Sequence, residues 1–328
     1  MKRMLSGIKP TGQLTLGNYI GALSQFVSYQ DECEMIAFIA NLHCITVYQD
    51  PKDLRKNLKD AVALYLAAGL DPNKSTIFLQ TDVKAHAQLG YIMACNTYLG
   101  ELNRMTQFKD KIAKGEQNLT AGLYTYPCLM AADILLYDPD LIPVGDDQKQ
   151  HVELTRDLAI RFNNKYSPTF KVPEPVSAKV GGRIMSLTDP SKKMSKSDEK
   201  NKGCIYLLED PKAARKKIMG AVTDSYAEIT ADKIKQPGLY NLMEIAASLT
   251  SSTPEAIALE YSSRGYGDLK NYVGDVVENF LIDLQSKYNT ILKENVIEDI
   301  LEDGKNKASI MAEKKLAKVM HKVGLEIR

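Results

Sequence analysis

The chain has 328 residues, a formal net charge of +1, 44% hydrophobic and 25% charged residues. That length and balance describe an ordinary folded protein with room for two domains and a sizeable core. The near-zero charge excludes attraction of nucleic acid by the molecule as a whole, so any such binding must use local basic patches.

The first half alternates short apolar runs with amphipathic ones. Met4 to Ser6, Met35 to Ala40, Thr76 to Gln80 and Leu141 to Val144 read as short buried strands, most bounded by turn residues. Between the second and third lies a helix with Asp50 as N-cap, Pro51 at its first position and Gly69 as its stop. Its Leu54, Leu58, Val62, Tyr65 and Leu66 form one apolar stripe. Strands alternating with helices predict an α/β fold with a Rossmann-like, doubly wound parallel sheet and a ligand site at the carboxyl ends of its strands.

The segment around 100–122 breaks the alternation; polar and Lys-rich, it reads as an insertion beside the site. The Pro-, Gly- and Lys-rich stretch from Pro173 to Gly203 reads as a connector. No strand is predicted after Tyr206. Leu269, Tyr272, Val273, Val276, Val277, Phe280 and Leu284 recur at helical spacing, so an all-helical domain is expected to follow. The predicted division is 1–190 and 191–328.

Five cysteines (Cys33, Cys44, Cys95, Cys128, Cys204) form no C-x-x-C pair, which argues for reduced thiols rather than disulfides, zinc or iron–sulfur ligands. No metal site is expected from them. No apolar run is long enough to span a membrane, and no signal-peptide core follows Met1. A cytoplasmic location without a membrane partner is the expectation. Candidate basic patches are Lys212 to Lys217 with Arg215, and Lys305 to Lys318, although a solvated helix face accounts for each. No G-x-G-x-x-G follows a strand and no P-loop is present, which argues against a dehydrogenase or a P-loop enzyme.

Two short signatures carry the chemistry. Gly7 and Gly12 lie in a loop after the first strand, and Thr15-Leu16-Gly17-Asn18 opens a helix. That geometry aims backbone N–H groups and a helix N-terminus at phosphate. Far downstream, Lys193-Met194-Ser195-Lys196-Ser197, preceded by Lys192, supplies mobile cations for a polyphosphate.

The pair resembles the HIGH element, in its T-x-G-N form, and the KMSKS loop of class I aminoacyl-tRNA synthetases. Essentially the whole chain is similar to the bacterial-type tryptophanyl-tRNA synthetases. The likeness includes Gly17-Asn18-Tyr19-Ile20-Gly21-Ala22, Gly100-Glu101, Met105-Thr106-Gln107-Phe108-Lys109, Met130-Ala131-Ala132-Asp133 and Gly145-Asp146-Asp147-Gln148. The resemblance implies a ligase that activates L-tryptophan with ATP and transfers it to the terminal ribose of tRNA(Trp). Mg²⁺ would be held mainly through the ATP phosphates. It also implies a homodimer and a helical anticodon-binding domain entered through the KMSKS loop. A tyrosyl-tRNA synthetase, or a non-catalytic nucleotide- or RNA-binding paralogue, is the alternative.

By the same resemblance, Thr15, Asn18, Lys111, Lys193 and Lys196 are the catalytic set. ATP would be held by Lys9, Thr11, Gly17, Gly145, Asp147, Gln148, Arg183, Ile184, Met194, Ser195 and Ser197 in addition. Tryptophan would meet Leu5, Gly7, His43, Tyr126, Met130, Asp133, Ile142, Val144 and Gln148. Asp133 would accept the indole N–H and Met130 would pack on the ring. From the residues alone, Asp133 sits in an apolar run where burying a partnerless carboxylate would cost several kcal/mol, so it needs a donor. Strand core accounts equally well for Ile142 and Val144. Two positions depart from the family pattern: Leu5, usually aromatic, and Lys9, often Gln.

Overall fold

The structure is a computed structural model that describes residues 1–10, 12–113, 119–145, 148–177, 183–194 and 202–327; the side chains of 110, 111, 144 and 175–177 are not described. The frame is a set of parallel strands. β1 (Lys2–Ile8) pairs with β2 (Cys33–Ile39) and β2 with β3 (Ser75–Leu79), placing Gly7 opposite Phe38 and Ile39 opposite Leu79. β4 (Ile142–Val144) pairs with β5 (Pro175–Ser177). A parallel bridge from Met4 to Leu141 joins this second pair to the free edge of β1. The spatial order is therefore β3-β2-β1-β4-β5, and the chain reverses direction across the sheet between β1 and β4. All four expected strands are present, each within two residues at either end. β5 was not expected, because a three-residue strand beginning at Pro175 carries no periodic signal and falls in the stretch read as a connector.

Helices cover both faces. Helical structure runs through α1 (Leu16–Asn18), a π-helical segment (Tyr19–Leu23) and α2 (Ser24–Tyr29), followed after β2 by α3 (Pro51–Ala67). Asp50 caps α3 by accepting the N–H groups of Lys52 and Asp53 at 2.8 and 3.1 Å, and Gly69 stops it with φ +103°. Then come α4 (Ala85–Asn96), α5 (Leu99–Leu102), α6 (Thr106–Ala113), α7 (Ala121–Leu135) and α8 (Lys149–Lys165). Alternate strand residues face opposite layers, as the pleat requires. Leu5, Ile36, Phe38 and Phe78 pack towards α4, α7 and α8, while Met4, Met35, Ala37 and Ile77 pack towards α2 and α3.

Beyond the sheet the chain is helical: α9 (Pro211–Met219), α10 (Pro237–Thr250), α11 (Pro254–Tyr261), α12 (Tyr266–Glu294) and α13 (Ile297–Val323). Among the described residues no strand follows Tyr206. On α12 the expected stripe is inside: Leu269, Val273, Val277 and Leu284 are buried. The last helix returns to the sheet. Ala308, Ala312, Leu316 and Val319 of α13 join the core beneath α4, α7 and α8, so this element of the predicted second domain packs with the first. Among the described residues no helix is long and apolar enough to cross a membrane.

Candidate active site

The strand order puts the carboxyl ends of β1 and β4 side by side at the point where the winding reverses, the position at which ligands bind open α/β sheets. The chain leaves β1 through Gly12, whose φ of +65° is a left-handed conformation that favours glycine. It then enters the helix at Thr15. The Thr15 hydroxyl accepts the Asn18 N–H at 3.1 Å and the Asn18 carboxamide oxygen accepts the Thr15 N–H at 3.0 Å, a reciprocal cap. Thr15 is buried and Asn18 exposed, so the pair builds the turn while Asn18 stands open to solvent.

The two stretches that flank the Lys-rich signature both dock on this turn. Upstream, Ile184 and Met194 are buried, and a Cβ placed on Gly17 would lie 3.5 Å from the Met194 Cβ and 3.7 Å from the Ile184 Cβ. Downstream, Leu16 N–H donates to the Ile205 carbonyl at 2.8 Å and Leu207 N–H to the Leu14 carbonyl at 2.9 Å. The T-x-G-N turn and the flanks of the second signature, remote in sequence, thus share one packed unit. Lys193 and Arg183 are exposed beside it. Ser195, Lys196 and Ser197 lie outside the described residues, as do Thr11 and Asp147; for Lys111 and Val144 only the backbone is described.

The second cluster surrounds Asp133, which is 1% exposed. Its Oδ1 accepts Gln80 Nε2–H and His86 Nδ1–H, each at 2.7 Å, and its Oδ2 accepts His43 Nε2–H at 2.8 Å. Burial by itself raises the pKa of this carboxyl; the hydrogen bonds and charge interactions from His43 and His86 outweigh it and hold the group at about 2. An ionised carboxylate only accepts, so the proton of each imidazole is assigned to the nitrogen that faces it. The other nitrogen of His86, Nε2, lies 2.8 Å from the Tyr137 hydroxyl. Burial, with the Asp133 charge, pushes the Tyr137 phenol well up, so it stays an O–H donor.

His43 also faces Tyr126, ring centre to ring centre 6.1 Å, edge on. The Tyr126 hydroxyl is hydrogen-bonded to Gln107 Oε1 at 2.9 Å and to His151 Nε2 at 2.6 Å. Met130 is half-buried one turn before Asp133 on α7, and Leu5 and Ile142 are buried in the same apolar core. A Cβ on Gly7 would strike the Phe38 ring at 2.5 Å, so glycine lets that ring lie across β1. Lys9 is exposed, yet close enough to oppose the rise that burial imposes on the buried Cys44 thiol next to His43. The Gly145 carbonyl accepts the Gln148 N–H at 2.9 Å, which starts α8 there.

Gln80, His86, Tyr137, Gln107 and His151 were missed from the sequence. A usable signal existed. His43, His86 and Gln80 each follow or interrupt an apolar stretch, and Asp133 called for donors; His151, in a polar stretch, gave no such sign. Among the described residues no group of three or more His, Cys, Asp or Glu is placed to hold a metal ion.

Comparison with known proteins adds a frame to this geometry. Residues 1–282 match the profile of the tRNA synthetases class I (W and Y). A tryptophan–tRNA ligase of Bacillus anthracis is 50% identical over 325 residues, covering 99% of this chain and 98% of that protein. The crystal structure of the tryptophanyl-tRNA synthetase of Mycoplasma pneumoniae superposes with a TM-score of 0.92 at 42% identity, over 99% of this chain and 98% of the other. The Campylobacter jejuni synthetase complexed with ADP and tryptophan gives 0.84 at 37% identity, over 98% and 99% of the two chains.

Proposed function

The chain belongs to the class I tRNA synthetases for tryptophan and tyrosine, and we propose that it is the ligase that activates L-tryptophan with ATP and esterifies tRNA(Trp). The observation that carries the reading is the buried, ionised Asp133, held beside the carboxyl ends of β2 and β3 by His43 and Gln80 from the turns that follow them. Oδ1 already accepts two hydrogen bonds and Oδ2 one, which leaves Oδ2 capacity for one further donor. An apolar ring with a single N–H satisfies that demand. A phenol O–H would satisfy it too, so whole-length likeness to tryptophan–tRNA ligases is what favours tryptophan over tyrosine.

In this reading Met130, Leu5, Gly7, Ile142 and Val144 enclose the indole, His43 borders it, and Tyr126 and Gln148 receive the substrate ammonium. Thr15, Gly17 and Asn18 hold ATP at the helix start, with Lys9 and Thr11 from the preceding loop. Gly145, Asp147, Ile184 and Met194 contact the nucleotide. Lys111, Arg183, Lys193, Ser195, Lys196 and Ser197 take the phosphates. The tryptophan carboxylate attacks the α-phosphorus and pyrophosphate leaves; no protein nucleophile is needed. Positioning and charge stabilisation carry such chemistry, each preorganised donor contributing about 100- to 1,000-fold in rate. Mg²⁺ arrives with ATP, bound chiefly by its phosphates. The terminal ribose hydroxyl of the tRNA then attacks the tryptophanyl carbonyl of the adenylate, forming the ester as AMP leaves and the hydroxyl proton is lost.

The exposed Tyr91 on α4, Tyr98 and Leu99 at the start of α5 and Ile160 on α8 support a homodimer, because aromatic side chains are enriched in interfaces and exposed aliphatic ones gain from burial. Residues 191–328 would carry the anticodon contacts, and the reaction belongs in the cytoplasm with translation. Pyrophosphate exchange tests the whole reading: tryptophan should support ATP–pyrophosphate exchange and tyrosine very little. Equal exchange with both, or with neither, would overturn it.

A further inference from the structure

Resting on that reading, we propose that Asn241, in the helical half of the chain, is a positioning residue for the Lys193 loop and hence for the ATP step. Residues 184–186 and 192–194 form a small antiparallel hairpin: Met194 N–H donates to the Ile184 carbonyl at 3.0 Å and Ser186 N–H to the Lys192 carbonyl at 2.8 Å. Met185 is paired with Lys193 across it. Because the two cross-strand bonds are made by the neighbours of this pair, the N–H and C=O of Met185 point away from Lys193, outwards, as on any sheet edge.

That edge is closed by one side chain. Asn241 Oδ1 accepts the Met185 N–H at 2.7 Å, and Asn241 Nδ2 donates to the Met185 carbonyl at 3.0 Å. A carboxamide has the donor and acceptor of a peptide group, so Asn241 acts as a third strand one residue long. Asn241 is 4% exposed on α10. Asparagine is a weak helix former, and a buried carboxamide needs partners; the two bonds to Met185 are the ones it has been given. One face of the hairpin rests on Gly17 through Ile184 and Met194. The hairpin is thus held between the T-x-G-N turn and α10, and Asn241 fixes its register and tilt. Lys193 stands on the strand so held, and the loop with Lys196 continues directly from it. A shift of α10 relative to the sheet would move Lys193.

The test compares Asn241→Ala with Asn241→Asp. The aspartate keeps the size and the acceptor for Met185 N–H, but sets a carboxylate oxygen against the Met185 carbonyl. Misplacing a reacting group by about 1 Å can cost about 100-fold in rate, so kcat for tryptophan-dependent exchange should fall by about tenfold or more, with KM for ATP rising. Tryptophan affinity should stay within about twofold, because Asn241 lies outside the Asp133 cluster. The chain contains no Trp, so the fluorescence of bound tryptophan reports that affinity directly and also reports folding. Unchanged ATP kinetics in either folded variant would overturn the inference. So would loss of tryptophan binding by both, which would make Asn241 a residue of folding alone. A wild-type chain without exchange would overturn the functional reading instead.

Discussion

His43 and Asp133 stand 90 positions apart in the chain, yet the imidazole Nε2 lies 2.8 Å from the carboxylate Oδ2. The turn that carries His43 follows β2, and α7 carries Asp133; their meeting leaves Asp133 charged, oriented and short of one donor. In the proposed function, the oxygen that His43 orients is the one that accepts the indole N–H.

Asp133→Ala is therefore expected to raise KM for tryptophan by about 10- to 100-fold, the worth of a hydrogen bond to a charged group, and to change KM for ATP far less. Steady-state exchange kinetics check this. An effect on ATP alone would remove Asp133 from the amino-acid pocket.

The same carboxylate gives a signed pH dependence of stability. Its folded pKa, about 2, lies below the model-compound value of 3.8, so its ionised form stabilises the fold above about pH 4. That contribution is lost as pH falls from there through about 2. Thermal melts of wild type and Asp133→Ala should thus differ most at neutral pH and converge towards pH 2.5. A gap that stays constant would mean the carboxylate is not ionised in the folded chain.

Lys9→Gln probes the loop after β1. An ammonium adds a full charge where a carboxamide adds neutral hydrogen bonds, and charges about 4 Å apart at a partly screened site attract by about 4 kcal/mol. Such attraction acts before the transition state, so binding of ATP or tryptophan should weaken while kcat keeps its order of magnitude. Unchanged KM values for both ligands would make Lys9 a surface residue.

Gly304 tests the return of α13 to the sheet. A Cβ there would lie 1.8 Å from the Ile77 carbonyl oxygen of β3, a contact that backbone must move to relieve. Gly304→Ala should cost about 1–3 kcal/mol or more, the range for overpacking, measured as a lowered denaturant midpoint. A helix interior normally gains from Gly→Ala by about 1 kcal/mol, so the sign alone discriminates.

What the sequence settled by itself is what short range controls. Capping by Asp50, the stop at Gly69, the apolar runs of the strands and the stripe on α12 each depend on residues within a few turns, whose periods and propensities survive in any context. The two signatures were legible for the same reason: a turn that presents backbone N–H groups and a lysine loop are local constructions. The Asp133 cluster was half legible. The need for a donor followed from burying a charge, but the donors did not, because Gln80, His43 and His86 come from three segments that only the closed sheet brings together. Asn241 gave no local sign, its partner being the edge of a hairpin 56 positions away. Nor did α13, whose stripe fits any apolar surface; the close approach at Gly304 selected β3. Tertiary structure decided these because a buried polar group or a glycine contact is satisfied by whatever chain closure places within about 3 Å, and that distance has no counterpart in sequence separation.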